Sequence, residues 1–89
     1  MQNKTVLIVN KLGLHARAAA KFVTLASSFE SDIQLAKNSQ QVNGKSIMGV
    51  MMLAASKDTE LELTADGSDE TTAIIKISEL IADRFGEDE

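Results

Sequence analysis

His15 is the only histidine of the chain, and it lies in residues 13–17, where a strand-like pattern gives way to a helix-like pattern. An imidazole is a nucleophile at neutral pH and can carry a phosphoryl group on a ring nitrogen. A helix that begins beside it offers the unpaired backbone amides of Ala16 and Arg17 and a positive dipole end, which both favour an anion. The Arg17 guanidinium can add charge-assisted hydrogen bonds. The alternative is an ordinary surface histidine, but its place at a helix start favours a phosphoryl acceptor.

Ser46 is the second candidate, because it directly precedes the apolar run 47–55. A serine in that position predicts a helix N-cap, which is worth about 1 kcal/mol. Gly44-Lys45-Ser46 also resembles the end of a nucleotide-binding P-loop. That motif requires a glycine where this chain has Ser39, so we discard nucleotide binding.

The isoleucine and methionines that follow Ser46 allow two interpretations. Core packing is the default for such a stripe, but methionine is also common on surfaces that must fit several partners. With an apolar residue beside His15 and basic residues around it, this stripe can form a docking surface. The candidate docking residues are Leu14, Lys21, Lys45, Ile47, Met48 and Met51, next to Arg17.

Charge is sorted along the chain, whose net charge is −4. Residues 1–29 and 33–57 contain lysine and arginine but no acid, so both candidate sites lie in acid-free stretches. This predicts a local positive patch that docks an acidic protein, with an ordinary mixture of surface charge as the alternative. Nucleic acid is disfavoured, because the chain is acidic and its only aromatic residues are three phenylalanines.

Length and composition predict one small domain, residues 1–89, with one core. Because there is no cysteine and only one histidine, a structural zinc site is disfavoured, and we expect no metal or cofactor. Only five apolar-type residues precede Asn10, too few for a signal-peptide core or a membrane span. We therefore expect a cytoplasmic protein without membrane insertion.

Hydrophobic periodicity predicts the elements β-α-β-β-α-β-α, an order that suits a two-layer α+β domain. The expected strands are residues 5–9, 32–37, 40–43 and 60–64. The first helix has Ala19, Phe22, Val23 and Ala26 on one face, and the last, capped by Ser68, has Ala73, Ile74, Ile77, Leu80, Ile81 and Phe85. Residues 86–89 are expected to be a solvated acidic end. Leu7 and Val9 are candidates for an exposed patch on the uncovered sheet face.

Residues 11–23 and 44–53 closely resemble the two signatures of the HPr family, the histidine-phosphorylated carriers of the bacterial phosphoenolpyruvate-dependent phosphotransferase system. The chain departs from the family at Ala18, where a proline is usual, but alanine also favours a helix. The resemblance implies an open-faced β-sandwich: a four-stranded antiparallel sheet, order 1-4-2-3, with three helices on one face. It also implies that the phosphoryl group is carried on Nδ1 of His15.

The same resemblance implies a stoichiometric phosphocarrier rather than an enzyme. His15 would accept a phosphoryl group from enzyme I and pass it to an enzyme IIA component. Sugar uptake and a nitrogen-related branch both stay open, and we expect a monomer. The alternative function is a regulatory interaction module controlled by phosphorylation of Ser46, through the family's dedicated HPr kinase/phosphorylase.

Overall fold

The computed structural model describes residues 1–89 and contains the predicted order of elements, followed by a short 3₁₀ turn. The strands are β1 (Gln2–Leu7), β2 (Asp32–Lys37), β3 (Gln40–Asn43) and β4 (Glu60–Asp66). The helices are α1 (Ala16–Ser27), α2 (Ile47–Met52) and α3 (Glu70–Ala82), and the 3₁₀ turn is Arg84–Gly86. No helix combines the length and the hydrophobicity needed to cross a bilayer.

The four strands form one antiparallel sheet in the order β1-β4-β2-β3, which confirms the predicted topology. Alternating residues of β2 and β4 point into the core, and Leu35 of β2 pairs with Leu63 of β4. The hairpin from β2 to β3 turns at Asn38, whose positive φ of 56° is a conformation that asparagine tolerates. Period-two alternation correctly predicted the bounds of β2 and the buried faces of β2 and β4, but β4 runs on to Asp66, beyond the predicted 60–64.

One hydrophobic cluster joins the inner face of the sheet to the helices. Phe22 of α1, Val50 of α2 and Ile77 of α3 are all fully buried in it. Full burial of side chains of this size contributes about 1.5–3 kcal/mol each. The three helices therefore share one side of the sheet, and their packing fixes the residues that precede α1 and α2.

The first strand begins and ends earlier than residues 5–9. It pairs with β4 from Gln2 to Leu7, because the pairing with the longer β4 extends to Ala65. The apolar patch expected on the open sheet face is limited to Leu7, which is 44% exposed, since Val9 is half-buried. Beside it, the Thr5 hydroxyl and the Glu62 carboxylate form a hydrogen bond of 3.0 Å, so this face is mostly polar.

The last helix is not capped by Ser68, as we expected. Its N-cap residue is Asp69, and the Ser68 hydroxyl instead donates to Glu30 at 3.1 Å. The Asp69 carboxylate accepts hydrogen bonds from the Ser31 hydroxyl and the Glu30 and Ser31 amides, which lower the pKa of Asp69. The Asp69 side chain makes no capping hydrogen bond to α3, so Ser68 and Asp69 instead connect the start of α3 to residues 30 and 31, which local sequence rules do not describe.

The apolar stripe predicted too long a last helix, because it included Phe85, whereas α3 ends at Ala82. Phe85 lies beyond α3, and both Arg84 and Phe85 have a positive φ, of 57° and 54°. This left-handed turn ends the helix and directs the Phe85 ring into the core, where it is fully buried. The chain after Phe85 is thereby turned back across the molecule.

Candidate functional site

The loop before α1 is held against Ala55, in the segment that follows α2. Gly13 has a φ of +66°, and a Cβ at this position would lie 2.4 Å from the Ala55 carbonyl oxygen. Only glycine fits this close approach in a left-handed conformation. The next amide, that of Leu14, donates to the same Ala55 oxygen at 2.9 Å. These contacts fix the backbone of the residue that follows, which is His15.

His15 is the N-cap residue of α1, as the sequence predicted for this junction. Its extended backbone allows its carbonyl to accept the first helical hydrogen bond, from Ala19 at 2.8 Å. Its Nδ1 accepts a hydrogen bond from the Arg17 amide at 3.3 Å, as a capping side chain does. The helix therefore begins at Ala16 in spite of the alanine at position 18. Nδ1 faces the helix start and carries its lone pair toward the free N–H groups.

The other ring nitrogen, Nε2, is hydrogen-bonded to the carboxylate of Glu87. A second oxygen of Glu87 accepts from the Asn10 side-chain amide at 3.0 Å, and that amide also donates to the Gly13 carbonyl at 2.8 Å. The hydrogen bonds from Asn10 and from His15, in that order, lower the pKa of Glu87. Asn10 is fully buried, so the carboxylate is held by a fixed donor.

The C-terminal segment is only in part the solvated end that we expected, because Gly86, Asp88 and Glu89 are exposed but Glu87 is half-buried. The Lys11 amide donates to the Glu89 carbonyl at 2.6 Å, and the Lys11 ammonium lies 3.4 Å from the Glu89 carboxylate. The Lys21 ammonium donates to the Phe85 carbonyl at 2.6 Å. The turn at Phe85 brings residues 87–89 to the acid-free segment around His15. Its neighbourhood is thus of mixed charge, not the purely positive patch that the sequence indicated.

A surface cavity of about 690 Å³ opens at His15. It is lined by Lys11, Leu12, His15, Ala16, Arg17, Glu87, Asp88 and Glu89. The Arg17 side chain is exposed and takes part in none of the ion pairs of the structure. Its guanidinium and the Ala16 amide, the first of the helix, are free to donate to an anion bound beside Nδ1.

The predicted docking residues fall into two groups. Ile47, Met48 and Met51 are 41%, 69% and 40% exposed, as a docking surface requires. Leu14 does not join them, because it is 5% exposed and packs in the core. Leu12, which we did not select, is 68% exposed and lines the His15 cavity. A loop pattern of alternating leucines does not reveal which one points inward.

The two lysines of the predicted docking surface are bound to the chain's own carbonyl groups. The Lys45 ammonium donates to the Phe29 carbonyl at 2.8 Å, so it is not free to meet a partner in this conformation. The Lys21 ammonium is likewise engaged by Phe85. The unengaged positive charge closest in sequence to His15 is Arg17.

Ser46 is the N-cap of α2, as predicted. Its hydroxyl oxygen accepts a hydrogen bond from the Gly49 amide at 3.1 Å. The residue is half-buried, and the exposed Ile47 and Met48 follow it directly. The capping role is thus established, and a modification of this hydroxyl would stand at the border of the apolar surface.

Asn10 and Glu87 are the site residues that sequence reasoning missed. Asn10 looked like the end of a strand, and Glu87 like part of a charged tail. One signal was available: the acidic end has the opposite charge to the acid-free segment around His15. Charge complementarity alone, however, does not place two segments 72 residues apart in contact.

Comparison with known proteins finds relatives that match this chain over nearly all of its length. The family model described as the PTS HPr component phosphorylation site matches residues 2–83. The phosphocarrier protein HPr of Neisseria meningitidis is 53% identical over the full length of both chains. Two structures of HPr from Thermoanaerobacter tengcongensis are also similar. One, of HPr-C-His, has a TM-score of 0.96 at 47% identity and covers 100% of both chains. The other, described as an HPr dimer, has a TM-score of 0.79 at 48% identity and covers 98% of this chain and 100% of that one. The chain therefore belongs to the HPr family, the phosphocarrier proteins of the phosphotransferase system.

Proposed function

We propose that this chain accepts a phosphoryl group on Nδ1 of His15 from enzyme I and passes it to an enzyme IIA component. The observation that carries the proposal is the position of Nδ1. This nitrogen faces the start of α1 and accepts a hydrogen bond from the Arg17 amide at 3.3 Å. A nucleophilic nitrogen at a helix N-terminus has anion-binding N–H groups directly beside it.

The transfer itself needs little covalent machinery. The Nδ1 lone pair forms a bond to phosphorus while the bond from phosphorus to the donor nitrogen of enzyme I breaks and its electron pair returns to the donor. The Ala16 and Arg17 amides and the Arg17 guanidinium are placed to stabilise the phosphoryl oxygens. The reverse displacement delivers the group to the acceptor. The chain thus acts as a stoichiometric carrier and returns unchanged after two transfers.

The exposed apolar residues Ile47, Met48 and Met51 support docking of both partners on one surface. Methionine side chains adapt to different shapes, and a carrier must leave each partner quickly, so a small interface is expected. Helix α2 packs against α1, whose N-cap residue is His15, and the segment just after α2 contacts the His15 loop through the hydrogen bond from the Leu14 amide to the Ala55 carbonyl. A partner bound at α2 would therefore reach the phosphoryl group. The partners and the cytoplasmic location stay predictions. The monomeric state also stays a prediction, because one similar structure is described as a dimer.

A second candidate function is a regulatory interaction module controlled at Ser46. The position of Ser46 favours it, because a phosphate at this N-cap would stand directly before the exposed Ile47 and Met48. Negative charge is tolerated at a helix start, so the fold would survive while the docking surface changed. The enzyme that would modify Ser46 is the HPr kinase/phosphorylase that the family resemblance implies.

Incubation with phosphoenolpyruvate and purified enzyme I separates the two functions. We expect one phosphoryl group per chain in a phosphoramidate that is labile in acid and stable in base, and none in His15→Ala. Ser46→Ala serves as the matched control and should accept phosphate normally. A parent chain that takes no phosphate from enzyme I, but is modified at Ser46 by the kinase, would favour the regulatory module.

A further inference from the structure

We propose that Glu87 is a positioning residue for phosphoryl transfer, which holds the Nε2–H of His15 and leaves Nδ1 as the nucleophile. The inference rests on the proposed function of His15 and deepens it. It assigns a role to the C-terminal segment, which the HPr signature in residues 11–23 does not contain.

The first support is the arrangement of hydrogen bonds around the ring. Nε2 meets the Glu87 carboxylate, which has no proton to donate when ionised, so Nε2 must carry the hydrogen. Nδ1 accepts a hydrogen bond from the Arg17 amide, so it must carry the lone pair. Both contacts select the same tautomer, and it is the one in which Nδ1 can attack phosphorus.

The second support is that the carboxylate is itself held in place. The buried Asn10 side-chain amide donates to Glu87 at 3.0 Å, and the Glu87 side chain is only 17% exposed. Hydrogen bonding to Asn10 and His15 lowers the pKa of Glu87, which keeps it ionised at neutral pH. A carboxylate bound in this way orients an imidazole far better than a mobile surface glutamate does.

The third support is the anchorage of the segment that carries Glu87. On the N-terminal side of Glu87, the Phe85 ring is fully buried, and the Phe85 carbonyl accepts a hydrogen bond from the Lys21 ammonium. On the other side Glu89 is bound by both the amide and the ammonium of Lys11. The Phe85 side of the segment is therefore firmly anchored, while the exposed Lys11–Glu89 pair adds a weaker tether on the other side, and Glu87 lies between them.

The chemistry of transfer gives this contact a use. When Nδ1 forms its bond to phosphorus, the ring becomes a cation that keeps its hydrogen on Nε2. The Glu87 carboxylate is positioned to stabilise that positive charge, as the carboxylate behind a catalytic histidine does in hydrolases. No proton leaves the ring, and the electron pair of the broken bond returns to the donor. Because Glu87 binds the nitrogen opposite Nδ1, its charge does not face the phosphoryl group.

The test compares Glu87→Gln with Asp83→Asn. Both variants remove one negative charge, but Asp83 is exposed, lies outside the His15 cavity and takes part in none of the ion pairs, whereas Glu87 contacts the imidazole. Heteronuclear NMR of the two ring nitrogens reads the tautomer without any phosphoryl donor, and rapid-quench experiments with enzyme I and phosphoenolpyruvate read the transfer rate. Thermal melts establish that each variant is folded.

We expect the parent and Asp83→Asn to show hydrogen on Nε2 and a bare Nδ1. In Glu87→Gln we expect a mixture of both tautomers and a transfer rate lower by about 10–100-fold, the usual effect of losing a residue that orients a histidine. An unchanged tautomer or an unchanged transfer rate in Glu87→Gln would overturn the proposal. A faster rate would also overturn it, because it would show that Glu87 hinders access to His15. A parent that accepts no phosphate would refute the phosphocarrier function itself, whereas the NMR result would still report on the contact.

Discussion

Replacement of Gly13 by alanine should both destabilise the protein and impair the site. The left-handed backbone at this position, with a φ of +66°, costs a residue with a Cβ about 1–2 kcal/mol. The new Cβ would lie 2.4 Å from the Ala55 carbonyl oxygen, so backbone must move, at a further cost of about 1–3 kcal/mol. The sum, about 2–5 kcal/mol, is a large part of the stability of a small domain and lowers the melting temperature by roughly 10 °C or more.

Gly86→Ala provides the matched control for this prediction. Gly86 has a similar φ of +78°, but a Cβ there would meet only the end of the Lys21 side chain, at 3.4 Å. It should therefore show the conformational cost alone, about 1–2 kcal/mol. Thermal and urea unfolding, followed by circular dichroism, measure both variants. A Gly13→Ala protein as stable as the parent, or no less stable than Gly86→Ala, would refute the close approach of the His15 loop to Ala55.

Three further perturbations test the site and its support. Arg17→Ala should leave His15 able to accept phosphate but slow the transfer by roughly tenfold or more, measured by quenched flow, since one charged donor is lost while the backbone amides stay; an unchanged rate would remove Arg17 from the site. Ser46→Asp should melt at or slightly above the parent temperature because aspartate caps α2 equally well, yet bind enzyme I about tenfold more weakly, measured by titration; a much lower melting temperature or unchanged binding would contradict this. The pKa of Asp69 is lowered by its hydrogen bonds to Ser31 and Glu30, so its contribution to stability is present above its ordinary pKa of 3.8 and is lost as the pH falls through its lower folded value. In urea unfolding, Asp69→Asn should therefore lose less stability on acidification than the parent does, and an equal loss in both would be evidence against the contact.

The local part of the fold could be predicted from the sequence. The alternation in Asp32–Lys37 and the turn after it are set by neighbouring residues, and the structure confirms both. The N-cap position of Ser46 also follows from a local rule, since a serine before an apolar run satisfies the free amides of the helix start. The place of His15 at the start of α1 belongs to the same class.

Contacts between distant segments could not be predicted in this way. Ser68 and Asp69 are both good capping residues, yet neither side chain caps α3, because the Asp69 carboxylate binds Ser31 and Glu30 and the Ser68 hydroxyl binds Glu30. Leu12 and Leu14 are equivalent by composition, and only the contact of the loop with Ala55 buries Leu14.

The approach of Glu87 to His15 depends on the left-handed turn at Arg84 and Phe85. Neither residue favours that conformation by itself, so burial of the Phe85 ring must stabilise it. A pattern of apolar residues continues the helix through Phe85, and it therefore places the C-terminal segment in solvent. The contacts of Nδ1 come from neighbouring residues at the start of α1 and could be predicted from the sequence. The contact of Nε2 with Glu87 is a tertiary contact and could not.

Locating the phosphoryl group on the imidazole ring tests the phosphocarrier function of His15 more directly than any other measurement. The chain is phosphorylated with enzyme I and phosphoenolpyruvate, with its nitrogens isotopically labelled, and NMR records which nitrogen is coupled to phosphorus. We expect coupling to Nδ1 of His15 alone, with Nε2 still bearing its hydrogen. Coupling to Nε2, or phosphate on any residue other than His15, would contradict this expectation.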